Sequence, residues 1–392
     1  MTDTVRAQYE AFPYPERKPT DERKRLITGS PSLPVEMDHW LWGGARNWSQ
    51  PLKALVAGGG TGDALIQLAQ KLTDAGRPYD ITYLDLSQAS RRIAEKRAEV
   101  RKLQGITFIT GSLLDAGEYG PFDYIDCCGV LHHLPDPQAG FDALSAALKP
   151  DGGMGLMVYA PHGRAGVYPL QDAFNAALKD LPPEKQLKAA KRIFDRLPDA
   201  HPFKRNTRVV DHKNGDAGFY DLLLHSQDRP FTITELVGAL NMAGLDYAGA
   251  PEPMLYDPVP LLGATPDLDP VQQMQLAEDL RGTFKTHIAY ARPKGQVIAP
   301  PYNDPEAIPH LRDVEASVLA AHVAKGKGVT IDTAGEAFSF DIPARAAELI
   351  ARVDGKRSIA DIARSDADRD VWVTVESALC GAGMMHYSKV LV

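Results

Sequence analysis

The sequence predicts an α/β protein: a doubly wound sheet with an added helical region and a small α+β C-terminal domain. Between residue 53 and about 160, short apolar runs alternate with amphipathic stretches, the pattern of parallel strands joined by crossover helices. The stretch VAGGGTGD (56–63) places four glycines directly after the apolar run Ala54-Leu55-Val56-Ala57, as at the first strand-to-helix turn of such a sheet. With 392 residues and 44% apolar composition, the chain exceeds what one hydrophobic core holds.

Residues 1–50 carry five prolines and the tryptophans Trp40, Trp42 and Trp48, which reads as an irregular but packed arm. Candidate strands follow at Leu52–Ala57, Ile81–Leu84, Ile106–Ile109, Tyr124–Cys127 and Met154–Tyr159, each a short run rich in apolar and β-branched residues. The helical pattern occupies Asp63–Leu72, Gln88–Leu103 and Gln138–Leu148, completing a catalytic domain over 51–160. A helical region over 161–292 follows, broken at Pro182, Pro183, Pro198 and Pro202. Within it Thr232–Gly244 has apolar residues at helical spacing and a glycine stop, Pro251–Pro260 reads as loop, and Thr286–Tyr290 as a strand returning to the sheet. The proline-rich stretch 293–310 is a domain boundary. Beyond it, over 310–392, Val329–Asp332 and Phe338–Ile342 flank Ala334-Gly335 like a hairpin. Short helices are expected at Ala344–Val353, Ile359–Arg364 and Val371–Gly381.

A net charge of −8 argues against nucleic acid as a partner. The basic clusters at Arg17–Arg25 and Arg91–Lys102 are diluted by acids and read as solvated faces, with Glu95 four residues from Arg91. No apolar stretch reaches the ~18 residues of a membrane span. The N-terminal stretch lacks the apolar segment of a secretory signal. Cys127, Cys128 and Cys380 offer neither a disulfide framework nor zinc spacing. These features point to the cytoplasm; a homo-oligomer is compatible with them.

A glycine turn after a buried strand lets a ligand touch the main chain, and both dinucleotides and S-adenosylmethionine use one. The spacing fits the dinucleotide pattern poorly, because Ala64 stands where its last glycine would be. Asp85 ends the second strand in ITYLDLS, where a carboxylate can take both ribose hydroxyls, or cap the next helix if Ser87 does not. The third strand ends in FITGSLLDA (108–116). The fourth is FDYIDCCGVLHHLPDP (122–137), followed by GFDALSAALKPDGGMGLMVYA (140–160).

These motifs together resemble class I S-adenosylmethionine-dependent methyltransferases over residues 50–160, most specifically in LHHLPDP followed by LKPDGG and an apolar strand. The resemblance implies a Rossmann-like methyltransferase sheet and S-adenosylmethionine as cofactor. It places Ala57, Gly58, Gly59, Gly60, Gly62 and Asp63 at the methionine side, Asp85 and Leu86 at the ribose, Ser112 and Leu113 at the adenine, and Gly129 and Val130 beneath the methionine. In two respects the chain departs from the family pattern: Val56 stands where an acid often precedes the first glycine, and Ser112 replaces the usual acid of the third motif. The Asn-Pro-Pro-aromatic signature of exocyclic-amine methylation is absent.

YEAFPYP (9–15) resembles an N-terminal arm of a bacterial subgroup, in which Tyr9 and Tyr14 would cover the cofactor; ordinary packing of both tyrosines is the alternative. LMVYAPHGRAGVY (156–168) and LLLHSQDRPFTITEL (222–236) are similar to the post-catalytic region of bacterial protein-lysine methyltransferases. The resemblance thus points narrowly to an acceptor that is a protein or peptide side chain, with a small molecule next and RNA third. His133, Tyr14, Tyr159 and His162 are the candidate catalytic residues, His133 acting as a base or shaping the pocket. As sequence neighbours, His132 and His133 do not easily share a metal ion, and no metal is expected. Cys127 and Cys128 read as packing, His225 as structural, and Asp267 and Asp269 as solvated charge. The C-terminal module faintly resembles a winged helix that binds peptides; a dimerisation or capping role is the alternative. Two other classes remain: a non-catalytic S-adenosylmethionine-binding scaffold and an NAD-dependent oxidoreductase.

Overall fold

The computed structural model describes residues 3–392. Seven strands form one sheet: β1 (Leu52–Ala57), β2 (Tyr79–Asp85), β3 (Ile106–Thr110), β4 (Phe122–Cys128), β5 (Leu148–Tyr159), β6 (Leu245–Gly249) and β7 (Thr286–Pro293), in the order β3-β2-β1-β4-β5-β7-β6. The first five run parallel, whereas β7 is antiparallel to β5, and β6 to β7. The order reverses beside β1, and that reversal opens a crevice at the carboxyl ends of β1 and β4.

Ten helices precede the last two strands of the sheet: α1 (Asp3–Ala11), α2 (Pro34–Trp42), α3 (Asp63–Asp74), α4 (Gln88–Arg101), α5 (Pro137–Ala146), α6 (Val167–Leu178), α7 (Pro183–Asp195), α8 (Pro202–Arg205), α9 (Gly215–Leu223) and α10 (Ile233–Met242). Strand β1 is buried on both faces, as a central parallel strand must be. Leu55 and Ala57 join the core beneath α5 and α10, while Leu52, Ala54 and Val56 join the core beneath α2, α3 and α4. A separate core formed by Val167, Phe174, Phe203, Phe219 and Leu223 holds the helical region together.

Two sequence readings are corrected here. The arm is not irregular, because α1 and α2 are regular helices; the prolines sit between them or, like Pro34, at a first helical position, where no N–H is needed. The basic stretch of α4 is not wholly solvated either. Arg91 does pair with Glu95 at 2.7 Å, but Arg97 is fully buried, binding Glu22 of the arm at 2.6 Å and Asp63 at 2.7 Å. Strand β6 has no period-2 apolar signal, and its place at the sheet edge comes from pairing with β7.

Near the C-terminus, β8 (Pro309–Leu311) pairs antiparallel with β11 (Met385–Tyr387), and β9 (Val329–Thr333) with β10 (Glu336–Phe340). Ala334 and Gly335 both have positive φ, as a tight two-residue hairpin turn requires. Leu349, Ile350, Trp372, Val375 and Leu379 fill this region's own core. It meets α2 through Ser388 Oγ, which donates to Asp38 Oδ2 at 2.8 Å, and through the Tyr387 N–H, which donates to His39 Nδ1 at 3.2 Å. The Pro251–Pro260 loop contains a helical turn at Val259–Leu262, and Asp269 caps the helix Pro270–Arg281 through a capping box rather than standing as free charge.

Candidate active site

Gly58, Gly60 and Gly62 have φ of 66°, 50° and 101°, which side-chain-bearing residues rarely adopt. Close packing adds a second requirement. A Cβ on Gly58 would lie 2.6 Å from Val130 Cγ2, and one on Gly60 2.9 Å from the Tyr14 carbonyl oxygen. The main chain is bare because the loop after β4 and the N-terminal arm both press against it. Asp85 fastens the turn: its Oδ2 accepts from the Gly60 N–H and its Oδ1 from the Ser87 N–H, both at 2.8 Å. Burial pushes this carboxyl above the usual range, while the two N–H groups pull it back. Ser87 itself caps α4.

Between the glycine turn, the ends of β2 and β4, and the arm lies a cavity of about 460 Å³, the size of a small-molecule site. Gly58, Gly59, Gly60, Asp85, Leu86, Leu113, Gly129 and Val130 line it, as do Tyr9 and Tyr14 of the arm and His133 and Tyr159 beyond it. Four expected residues lie outside that lining. Ala57 is buried within the sheet core, and Gly62 serves as N-cap of α3. Ser112 spends its hydroxyl accepting from the Leu114 N–H, leaving Gly111 and Leu113 at the cavity wall. His162 is half-exposed and lies 3.5 Å from Asp279. Asp63 reaches the cavity, but its carboxylate is taken by Arg17 (2.7 Å) and Arg97 (2.7 Å). It therefore clamps the arm, the cations holding its carboxyl low against the opposing effect of burial. Thr61 Oγ1 adds a 2.6 Å hydrogen bond to the Pro15 carbonyl.

At the far end of the cavity, His133 and His225 stack with centroids 3.8 Å apart, and Tyr159 lies beneath His132 at 4.0 Å. Backbone groups fix the tautomers. The His132 Nδ1 accepts from the Tyr159 N–H and the His225 Nδ1 from the Gln227 N–H, so each neutral ring carries its proton on Nε2. Burial holds both rings neutral, well below the usual histidine range. His133 is set the other way: its Nδ1–H donates to the Gln227 carbonyl at 3.0 Å, leaving a lone pair on Nε2. Beside it, Tyr9 Oη donates to Asp221 Oδ1 at 3.0 Å and lies 3.4 Å from His225 Nε2. Two groupings, His132 with His133 and Asp228, and His133 with Asp221 and His225, have metal-like spacing. In each, one imidazole presents N–H rather than a lone pair, so neither suits a cation. His225, expected to be structural, is buried behind His133 and packs against it rather than lining the cavity.

Residues 55–154 match the family model described as a methyltransferase domain. The likeness to a methyltransferase domain thus spans about a quarter of the chain. The chain is 28% identical over 284 residues to an uncharacterized protein of Synechococcus, covering 68% of this chain and 64% of that protein. It is 31% identical over 117 residues to the tRNA 5-carboxymethoxyuridine methyltransferase of Escherichia coli, covering 29% of this chain and 42% of that enzyme. Less than two thirds of either relative's length is therefore spanned. Among solved structures, PKMT2 from Rickettsia typhi superposes with a TM-score of 0.62 at 16% identity, over 93% of this chain and 76% of that one, a likeness of fold. The cavity has room for the S-adenosylmethionine expected from the sequence, offering bare backbone at Gly58–Gly60, the Asp85 carboxylate and the apolar side chain of Leu113.

Several residues that line the cavity escaped the sequence reading: Arg17, Ser30, Asp126, Arg164 and Asp221. Two of them left a signal. Asp126 interrupts the buried strand of DYIDCC, and Asp221 interrupts the apolar run of GFYDLLL, where only a partnered carboxylate is stable.

Proposed function

We propose that the protein transfers a methyl group from S-adenosylmethionine to a side chain of a protein or peptide. The donor supplies an activated methyl on a positively charged sulfur, so the protein's part is to align an acceptor and exclude water. Tyr9 and Tyr14 cover the cavity from the arm, and α3, α4 and the arm share the Asp63–Arg17–Arg97–Glu22 clamp that holds the cover shut. The observation that carries the reading is the oriented His133. Its Nε2 lone pair, the Asp221 carboxylate and the Tyr14 and Tyr159 rings all line the same cavity, so the group there can remove a proton from a protonated amine or hydroxyl acceptor. Imidazolium formed in that step is stabilised by Asp221, whose own carboxyl burial raises and the nearby His133 lowers. The likeness of segments 156–168 and 222–236 to the post-catalytic region of protein-lysine methyltransferases supports a side-chain acceptor.

The test is incubation of the protein with isotopically labelled donor against separated protein, small-molecule and RNA extracts. Label transferred to the protein fraction is expected. Label confined to small molecules overturns the acceptor class, and donor binding without turnover in every fraction overturns the enzyme reading.

A further inference from the structure

Asp126 is 1% exposed and lines the cofactor cavity near the end of β4. Ser30 Oγ and Ser32 Oγ both donate to its Oδ2, at 2.6 Å each. Among the described residues, the groups acting on it are hydroxyls and a backbone N–H, with no cation among them. Burial pushes its carboxyl up to about 6, so at neutral pH an ionised, buried carboxylate faces the cavity without a counter-charge. Such a charge is costly unless a cation joins it.

The support around it is built. The Gln67 side chain on α3 is buried, accepts from the Gly29 N–H at 2.8 Å and donates to the Ser30 carbonyl at 2.9 Å. This amide holds the segment 29–32 against the sheet and so aims the two serine hydroxyls. Asp126 also pairs in register with Val56, so both side chains leave the same face of the sheet, one strand apart. Val56 is where the resemblance leads one to expect an acid; the carboxylate stands on the neighbouring strand instead.

We propose that the Asp126 carboxylate, set by Ser30 and Ser32, receives the α-ammonium of the methionine end of S-adenosylmethionine; this rests on the function proposed above. Geometry selects that group. Asp85 ends β2 and Asp126 lies on β4, with β1 between them, which separates the two carboxylates by about 10 Å at ~4.8 Å per strand. A nucleoside laid with its ribose at Asp85 therefore directs its amino-acid end toward β4. Of the two cationic centres it carries, the sulfonium has no N–H, whereas the ammonium can donate to a carboxylate.

Calorimetry on the full chain at neutral pH decides it, with S-adenosylhomocysteine, its desamino analogue and 5′-methylthioadenosine, which lacks the amino-acid end. Asp126→Asn is expected to weaken S-adenosylhomocysteine roughly 10- to 100-fold while leaving 5′-methylthioadenosine within about threefold. The unaltered protein should lose a similar factor for the desamino analogue, and the variant should hardly distinguish it from S-adenosylhomocysteine. Equal affinity of variant and unaltered protein for S-adenosylhomocysteine overturns the proposal, as does an equal loss for all three compounds. Where the variant does not fold by circular dichroism, undiminished binding of the desamino analogue to the unaltered protein overturns it alone. Failure of the unaltered protein to bind any of the three overturns the proposed function itself, a distinct result.

Discussion

His133 and Asp221 act through a difference of one proton. The Gln227 carbonyl holds the His133 proton on Nδ1, and burial raises the Asp221 carboxyl while His133 and the Tyr9 hydroxyl pull it back. His133→Gln keeps a polar side chain of similar reach but no titratable lone pair. It is expected to lower kcat by roughly 10²- to 10⁴-fold, the range for one general base. Affinity for S-adenosylhomocysteine should stay within about threefold, since no step of binding needs the proton. A parallel loss of cofactor affinity would assign His133 to the pocket wall instead. Asp221→Asn removes the counter-charge of the imidazolium formed in the step, so kcat should fall; an unchanged kcat argues against the pairing. The signal for His133 was present in LHHLPDP, but its tautomer was not. It depends on Gln227, 94 residues away in the chain.

At the scale of elements, the arm is fastened by buried charge as well as by apolar area. Arg97 on α4 binds Glu22, Asp63 and the Thr61 carbonyl while fully buried. Arg97→Met leaves two carboxylates short of a partner, and a loss of about 3–5 kcal/mol is expected in urea unfolding. A change below about 1 kcal/mol would mean that Arg17 and Arg101 suffice. The seat of the C-terminal region on α2 responds to pH. Burial holds His39 down to about 4, whereas an unfolded histidine titrates near 6.5. Between those values the unfolded chain binds a proton that the folded one refuses, so stability is full above about 6.5 and is lost as pH falls toward 4. The neighbouring His386, 5.2 Å away ring to ring, is held low by burial as well. Urea midpoints should therefore fall between pH 7 and pH 5, and His39→Asn should flatten that slope; an identical slope in the variant refutes the assignment. The element pattern of the sheet was readable from alternating apolar runs. The helices of the arm were not, because their stability comes from docking: Met37 and Leu41 bury against the sheet, and Glu10 takes the Gln88 N–H at the start of α4.

For the molecule as a whole, the cavity draws on the arm, the sheet and the helical region, from Tyr9 to Thr286. A ligand that binds there stabilises the folded state by mass action. S-adenosylhomocysteine at about a hundred times its dissociation constant should raise unfolding free energy by about 2.7 kcal/mol. The increase is expected in thermal melts of the full chain, and adenosine-free buffers with methionine alone should produce none. No shift at saturating ligand would contradict the cavity's assignment. No helix among the described residues is long and apolar enough to cross a membrane.

The sequence by itself determined the parallel sheet, the glycine turn, the acid at Asp85 and the histidine loop, because each is written in neighbouring residues whose spacing fixes local geometry. Only the tertiary structure decided that Asp63 clamps the arm, that Arg97 is buried, and that Asp126 and Asp221 face one cavity. Those outcomes turn on pairs separated by tens to hundreds of residues, and the free energy of a buried charge depends on its partner rather than on its neighbours in the chain.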